Sequence, residues 1–430
     1  MGEETGAAET IAITPAAGPI RATVTVPGSK SLTNRALLIA ALADGRSTLT
    51  GALHSDDTRH MAGALRALGV DVQEDPAGAR FAVAGRGGHF PADRADLFVG
   101  ASGTAARFLT AALTLGHGRY TLDGVPRMRE RPIQPLLDAL AELGADARSR
   151  DGTGCPPVVV EARGLPGGAC RVRGDLSSQY LSALLMAGPC AARGVTVEVV
   201  GDLVSRPFVG LTAAVVRDFG ATVVAEGNRF VVPPGRYRAR AYAVEPDATA
   251  ASYFFAAAAV TGGTVRVAGL GREALQGDIA FVDVLARMGC AVERDADGIA
   301  VTGPARLRGV AADLAPISDT ALTLAAIAPF ADGPVALRGL AHTRHQETDR
   351  LAAATAELRH LGARVDERPD GLTVYPSTLH GGTVATYGDH RMAMSFALIG
   401  LRVPGVVIAD PRCVEKTFPD FFARFAALTG

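Results

Sequence analysis

Two patterns of apolar and polar positions recur along the 430-residue chain. In the first, an Ala/Leu-rich helix runs into glycine and then into alternating residues, as in ALADGRSTLTG at Gly45 and TLGHGRYTLDG at Gly118. The same phrase returns at Gly194, Gly263, Gly333 and Gly405. In the second, a charged amphipathic helix ends in a glycine followed by a strand: LRALGVDV at Gly69, with counterparts at Gly144, Gly220, Gly289 and Gly362. Glycine just past a helix accepts the left-handed conformation that closes it, and the alternation after it reads as a half-buried strand. Both phrases keep a step of about 72 residues, longer than a solenoid unit. The pattern predicts six small α/β units, each helix, strand, helix, strand. The sixth lacks its second half at the C-terminal end unless residues before Pro27 complete it.

Composition narrows the function. A net charge of -1, 5% aromatic residues and no tryptophan leave neither the basic footprint nor the stacking platforms that nucleic-acid binding uses. The 5 cysteines are scattered without a CxxC pair, which argues against a disulfide framework and a thiolate metal site and fits a reducing cytoplasm. The opening MGEETGAAET has no basic or apolar leader character, and later apolar runs are too short to span a bilayer, so neither export nor membrane insertion is expected. His54 beside Asp56 and Asp57 is the nearest approach to a metal-ligand pattern, and no metal is expected.

Polar clusters collect where the apolar helices begin. Helix N-termini carry unsatisfied N–H groups and the positive end of the helix dipole, so they suit anions. PGSKSLTNRALLIAAL sets Lys30, Ser31 and Arg35 on the first turns of a helix; it is not a Walker A loop. VGASGTAARFL repeats the design with Gly103 and Thr104, and GDLSSQYLSALLMAGP with Ser177, Ser178 and Gln179. PRMRERPI packs Arg127, Arg129 and Arg131 into one short loop, and arginine is suited to carboxylate and phosphate. Later, QETDRL, YGDHRMAM and CVEKTFPDF put acids beside bases at helix starts. Several anion-binding helix starts with isolated carboxylates suit multiply charged substrates and a proton-transfer step.

These motifs, in this order and with GDLVSRP, resemble the EPSP synthase family of enolpyruvyl transferases across nearly the whole chain. The resemblance implies an α/β (α+β) fold of two domains, an inside-out α/β barrel of six βαβαββ repeats with helix N-termini facing the interdomain cleft, which closes around substrates. It implies a discontinuous first domain, 1–27 plus 246–430, carrying the acid/base residues and the phosphoenolpyruvate (PEP) side, and a second, 28–245, on the shikimate 3-phosphate side. The implied reaction transfers the enolpyruvyl group of PEP to the 5-hydroxyl of shikimate 3-phosphate, releasing phosphate without a cofactor, in a cytoplasmic monomer of the shikimate pathway. By matching position, Asp319 and Glu347 move protons, with Lys30 and His390 also catalytic. Lys30, Ser31, Arg35, Ser177, Ser178, Gln179, Ser205, Asp319 and Gln346 hold shikimate 3-phosphate. Lys30, Gly103, Thr104, Arg127, Gln179, Arg350, Arg391 and Lys416 hold PEP. Gly103, having no side chain, leaves room beside PEP, where glyphosate is expected to compete.

The chain departs from the family's familiar pattern on the acceptor side. Gln346 stands where well-known members have lysine, His342 replaces an asparagine, Phe208 a tyrosine and Ala101 an asparagine. These changes leave open a second reading, a paralogous enolpyruvyl transferase acting on another shikimate-like or cyclitol alcohol. A sister family that uses UDP-N-acetylglucosamine fits less well, because Arg127, Met128 and Ser31 occupy its distinguishing positions.

Overall fold

A computed structural model describes residues 9–429. The chain divides into two compact units, one made of the residues up to Val26 together with Asp247 onward, the other of Pro27–Pro246.

Both units are assembled from copies of one plan. In residues 94–163 it runs strand Arg94–Phe98, helix Gly103–Leu113, strand His117–Asp123, helix Gln134–Glu142, then strands Asp146–Ser149 and Val158–Arg163. The first two strands pair in parallel, from Arg94↔Arg119 to Phe98↔Asp123, and the intervening helix supplies the crossover that a parallel pair requires. The last strand returns antiparallel beside the second, which leaves the third at the edge. Residues 168–232 and 310–374 repeat this strand order.

The remaining copies are completed by strands distant in sequence. In the 27–246 unit, the copy that starts with helix Lys30–Leu42 has no strand ahead of it. Ala241–Ala243, at the far end of the unit, fills that place and pairs in parallel with Thr48–Thr50. In the other unit Arg21–Val24 pairs in parallel with Thr264–Val267, and Thr10–Ala12 pairs antiparallel with Val407–Ala409. Residues before Pro27 therefore serve two copies. Among the described residues the sixth copy has a three-stranded sheet, whereas the other five have four strands.

The first helix of each copy forms the inside. From Ala248 to Val260 every residue of the helix Ala248–Thr261 is buried, and so is Lys30–Leu42 from Leu32 onward. A helix apolar on every face has to be surrounded, and in each unit these helices pack on one another beneath the sheets. The second helices bury one stripe only, as Asp56–Ala67 does through Met61, Ala62, Ala64 and Leu65. Each unit has its own apolar core.

The glycine phrases divide in two. Gly69, Gly144, Gly220, Gly289 and Gly362 all adopt the left-handed conformation, with φ between 85° and 99°. Of the first phrase, Gly194 and Gly405 are left-handed just ahead of their strands, with φ 68° and 82°, and the others depart from expectation. Gly45 and Gly118 lie inside strands, and extended Ala43 leads straight from helix to strand. Before Gly263 it is Gly262, φ 67°, that closes the helix.

Candidate active site

In the 27–246 unit the three inner helices are capped by serine. Ser29 Oγ accepts from Leu32 N at 3.5 Å, Ser102 Oγ from Ala105 N at 3.2 Å, and Ser177 Oγ from Gln179 N at 3.2 Å. A neutral cap satisfies one N–H without cancelling the positive helix end, so these starts still attract anions. Lys30 stands at the first of them, its Nζ 3.5 Å from Asp57 Oδ2. Ser31 gives its carbonyl to Arg35 Nη1 at 2.9 Å, and Arg35 Nε donates to Thr212 Oγ1 at 2.7 Å. Burial pulls the Arg35 guanidinium down to about 9, still charged at neutral pH, and it lies over the Phe108 ring at 5.0 Å. Ser178 opens its helix with Gln179 beside it. Ser205 has φ 50°, a left-handed conformation that is strained for a residue with a Cβ.

Gly103 and Thr104 begin the second of these helices, beside the arginine loop. In the turn Pro126–Glu130, Arg127 Nη1 pairs with Glu130 Oε2 at 2.7 Å, and its side chain is 38% exposed. Arg131, just past the turn, points inward instead. Its Nη1 donates to the Ala101 carbonyl at 3.3 Å, and a Cβ built on Gly103 would meet its Nη2 at 2.6 Å. The Arg131 guanidinium thus fills the space beside Gly103. Arg107 fixes the loop, donating through Nη2 to the Pro132 carbonyl at 2.8 Å, which Tyr180 Oη also reaches at 2.7 Å.

The other unit contains a cluster of carboxylates and cations centred on Arg350. Its Nε donates to Asp389 Oδ2 at 2.8 Å, Nη2 to Glu347 Oε2 at 3.0 Å, and Nη1 to Asp319 Oδ1 at 3.3 Å and to Gln346 Oε1. Arg391 Nη2 holds Asp319 Oδ2 at 2.7 Å, and Lys416 Nζ holds Glu347 Oε1 at 2.8 Å. Burial alone would lower both guanidinium groups, but carboxylates more than offset it: Asp389 and Glu347 raise Arg350, and Asp319 raises Arg391. His342 Nε2 lies 2.9 Å from Ser318 Oγ, and burial lowers this imidazole below its usual range.

Asp389 is the residue the motif reading passed over. It caps the helix His390–Gly400, accepting from Arg391 N at 2.8 Å while holding Arg350. Its sequence signal was its position immediately before an apolar helix. His390, which opens that helix, is fully buried with Nδ1 3.4 Å from Asp389 Oδ1. Among the described residues no group of three or more His, Cys, Asp or Glu could hold a metal ion, and no helix is long and apolar enough to cross a membrane.

This arrangement provides two carboxylates for proton transfer, each touched by a cation, within a region rich in anion-binding groups. Comparison with known proteins gives it a family. The family model described as EPSP synthase (3-phosphoshikimate 1-carboxyvinyltransferase) matches residues 15–425. The chain is 50% identical to the 3-phosphoshikimate 1-carboxyvinyltransferase of Nostoc punctiforme, covering 97% of this chain and 98% of that one. It is 47% identical to the chloroplastic enzyme of the same name from Petunia hybrida, covering 94% and 82%. A solved EPSP synthase from Acinetobacter baumannii superposes with a TM-score of 0.80 at 27% identity, covering 97% and 98%. With so much of its length shared with full-length relatives, the chain belongs to the EPSP synthase family.

Proposed function

We propose that the chain transfers the enolpyruvyl group of PEP to the 5-hydroxyl of shikimate 3-phosphate, forming 5-enolpyruvylshikimate 3-phosphate and phosphate. The observation that carries this reading is the pair Asp319 and Glu347, both bound to Arg350 and each given a second cation, Arg391 or Lys416. The 5-hydroxyl oxygen attacks C2 of PEP. One carboxylate takes the hydroxyl proton while the other acid protonates the C3 methylene, giving a tetrahedral intermediate. Loss of phosphate from C2 and of a proton from the new methyl group restores the double bond. Cations fixed beside the carboxylates stabilise the charges that develop.

The 27–246 unit supplies Ser177, Ser178, Gln179 and Ser205 for the 3-phosphate, Ser31 and Arg35 for the ring, and Lys30 for both substrates. For PEP, the 27–246 unit offers Gly103, Thr104 and Arg131, and the other unit, taken by itself, offers Arg350, Arg391 and Lys416. Gln346 serves the acceptor while its Oε1 rests on Arg350. The identity to enzymes named for the phosphorylated acceptor favours shikimate 3-phosphate over another alcohol, despite His342, Gln346, Phe208 and Ala101. Phosphate release from PEP, measured with shikimate 3-phosphate and separately with shikimate, tests the reading. Turnover is expected with the phosphorylated ring only; turnover with shikimate alone would mean a rebuilt acceptor site.

A further inference from the structure

Asp278 belongs to none of the contacts above. It sits in the turn Gly277–Ala280, packed against both the helix Ala248–Thr261 and the turn Ala315–Thr320 that carries Asp319. The residue is 4% exposed. Thr249 Oγ1 bonds to Asp278 Oδ2, and Gln276 Oε1 accepts from Ala248 N at 3.1 Å, so the turn is pinned to the start of that helix. Oδ1 is buried without a hydrogen-bonding partner among the described residues. The charged groups facing it are Asp247, the cap of that helix, Asp319, and Arg391 from the helix His390–Gly400. A buried carboxylate oxygen with no donor is costly, and the neutral acid avoids that cost. Burial, reinforced by the charges of Asp319 and Asp247 and opposed by Thr249 and Arg391, raises this carboxyl to about 7.

We propose that Asp278 is a positioning residue of the reaction: uncharged, it withholds a further negative charge from Arg391 and leaves that guanidinium able to attract an anionic reactant. The inference rests on the reading that Arg391 holds PEP. When Asp278 ionises, a new negative charge that Arg391 feels opposes the incoming anion. At the effective dielectric of a protein site this weakens binding about tenfold, equivalent to about 1.4 kcal/mol.

The test measures KM and kcat for PEP by phosphate release from pH 6 to pH 9 in the wild type, Asp278→Asn and Thr249→Val. The wild-type KM is expected to rise about tenfold with a midpoint near 7, and the Asn variant to stay flat. Val removes the hydroxyl that favours the ionised form, so its rise moves to higher pH and carries the test should Asn fail to fold. A rise that persists in a folded Asp278→Asn, or does not move in Thr249→Val, overturns the proposal. Infrared titration decides independently of turnover: a protonated-carboxyl band must fade as the pH passes through about 7 in the wild type and be missing in Asp278→Asn. Absence of that band at pH 6 overturns the proposal. A wild type that releases no phosphate while the band titrates as expected would instead count against the proposed reaction.

Discussion

Asp319 and Arg391 are joined by a 2.7 Å ion pair although they are 72 positions apart, one step of the repeat. The pairing ties the carboxylate of one copy to the helix start of the next. Arg350 bonds to the other Asp319 oxygen and to Glu347, so two proton-transfer candidates share one guanidinium.

Replacing Asp319 with Asn or Glu347 with Gln keeps the shape and removes the base. Phosphate release at saturating substrates is expected to fall about 100-fold or more in each. Rates within threefold of wild type in both variants would count against their assigned role.

The inward and outward arginines separate cleanly. Arg131→Ala is expected to raise KM for PEP about tenfold or more, since a charge-assisted contact is lost. Arg127→Ala removes an exposed pair with Glu130 and is expected to change KM less than twofold. Steady-state kinetics with PEP varied distinguishes them, and the reverse ranking would assign the PEP contact to Arg127.

How much of this could be read from the chain depended on the range of the forces involved. The second glycine phrase was legible because a left-handed helix end is a local demand that glycine meets best, as at Gly69 and Gly362. That residues before Pro27 complete the sixth copy was legible from its missing half, but which strand does so, like Ala241–Ala243, was not, because three residues carry too little alternation and their partners lie far away in sequence. In PRMRERPI the three arginines are chemically alike, and only the turn Pro126–Glu130 decides which faces Gly103. Asp319 and Glu347 came from family likeness, whereas the state of Asp278 depends on packing between separate copies, which spacing does not encode.

Gly103→Ala places a methyl group against the end of a flexible side chain rather than against backbone. The Arg131 guanidinium, 2.6 Å from the added methyl, has to move aside as a whole, with little effect on the melting temperature, while KM for PEP rises about tenfold. An unchanged KM would place PEP away from this helix start.

Stability carries its own signature of Asp278. Its folded carboxyl lies near 7, above the value of about 4 in an unfolded chain, so the native state holds the proton more tightly. The stabilisation from that bound proton is fully present below about pH 4 and is lost as pH rises toward 7. Asp278→Asn, which has no proton to lose, is expected to melt increasingly above the wild type from pH 5 to pH 8. A constant difference in melting temperature across that range would mean that Asp278 titrates normally.

The pairing of Arg21–Val24 with Thr264–Val267 also sets a timetable for synthesis on the ribosome. The first strands made are among the last to find partners, since Thr10–Ala12 waits for residues 407–409. In that interval the whole 27–246 unit can emerge and close on its own strand Ala241–Ala243. A nascent chain halted after Pro246 would hold one finished body and an N-terminal tail with nowhere to pair, a state in which chaperones have most to protect.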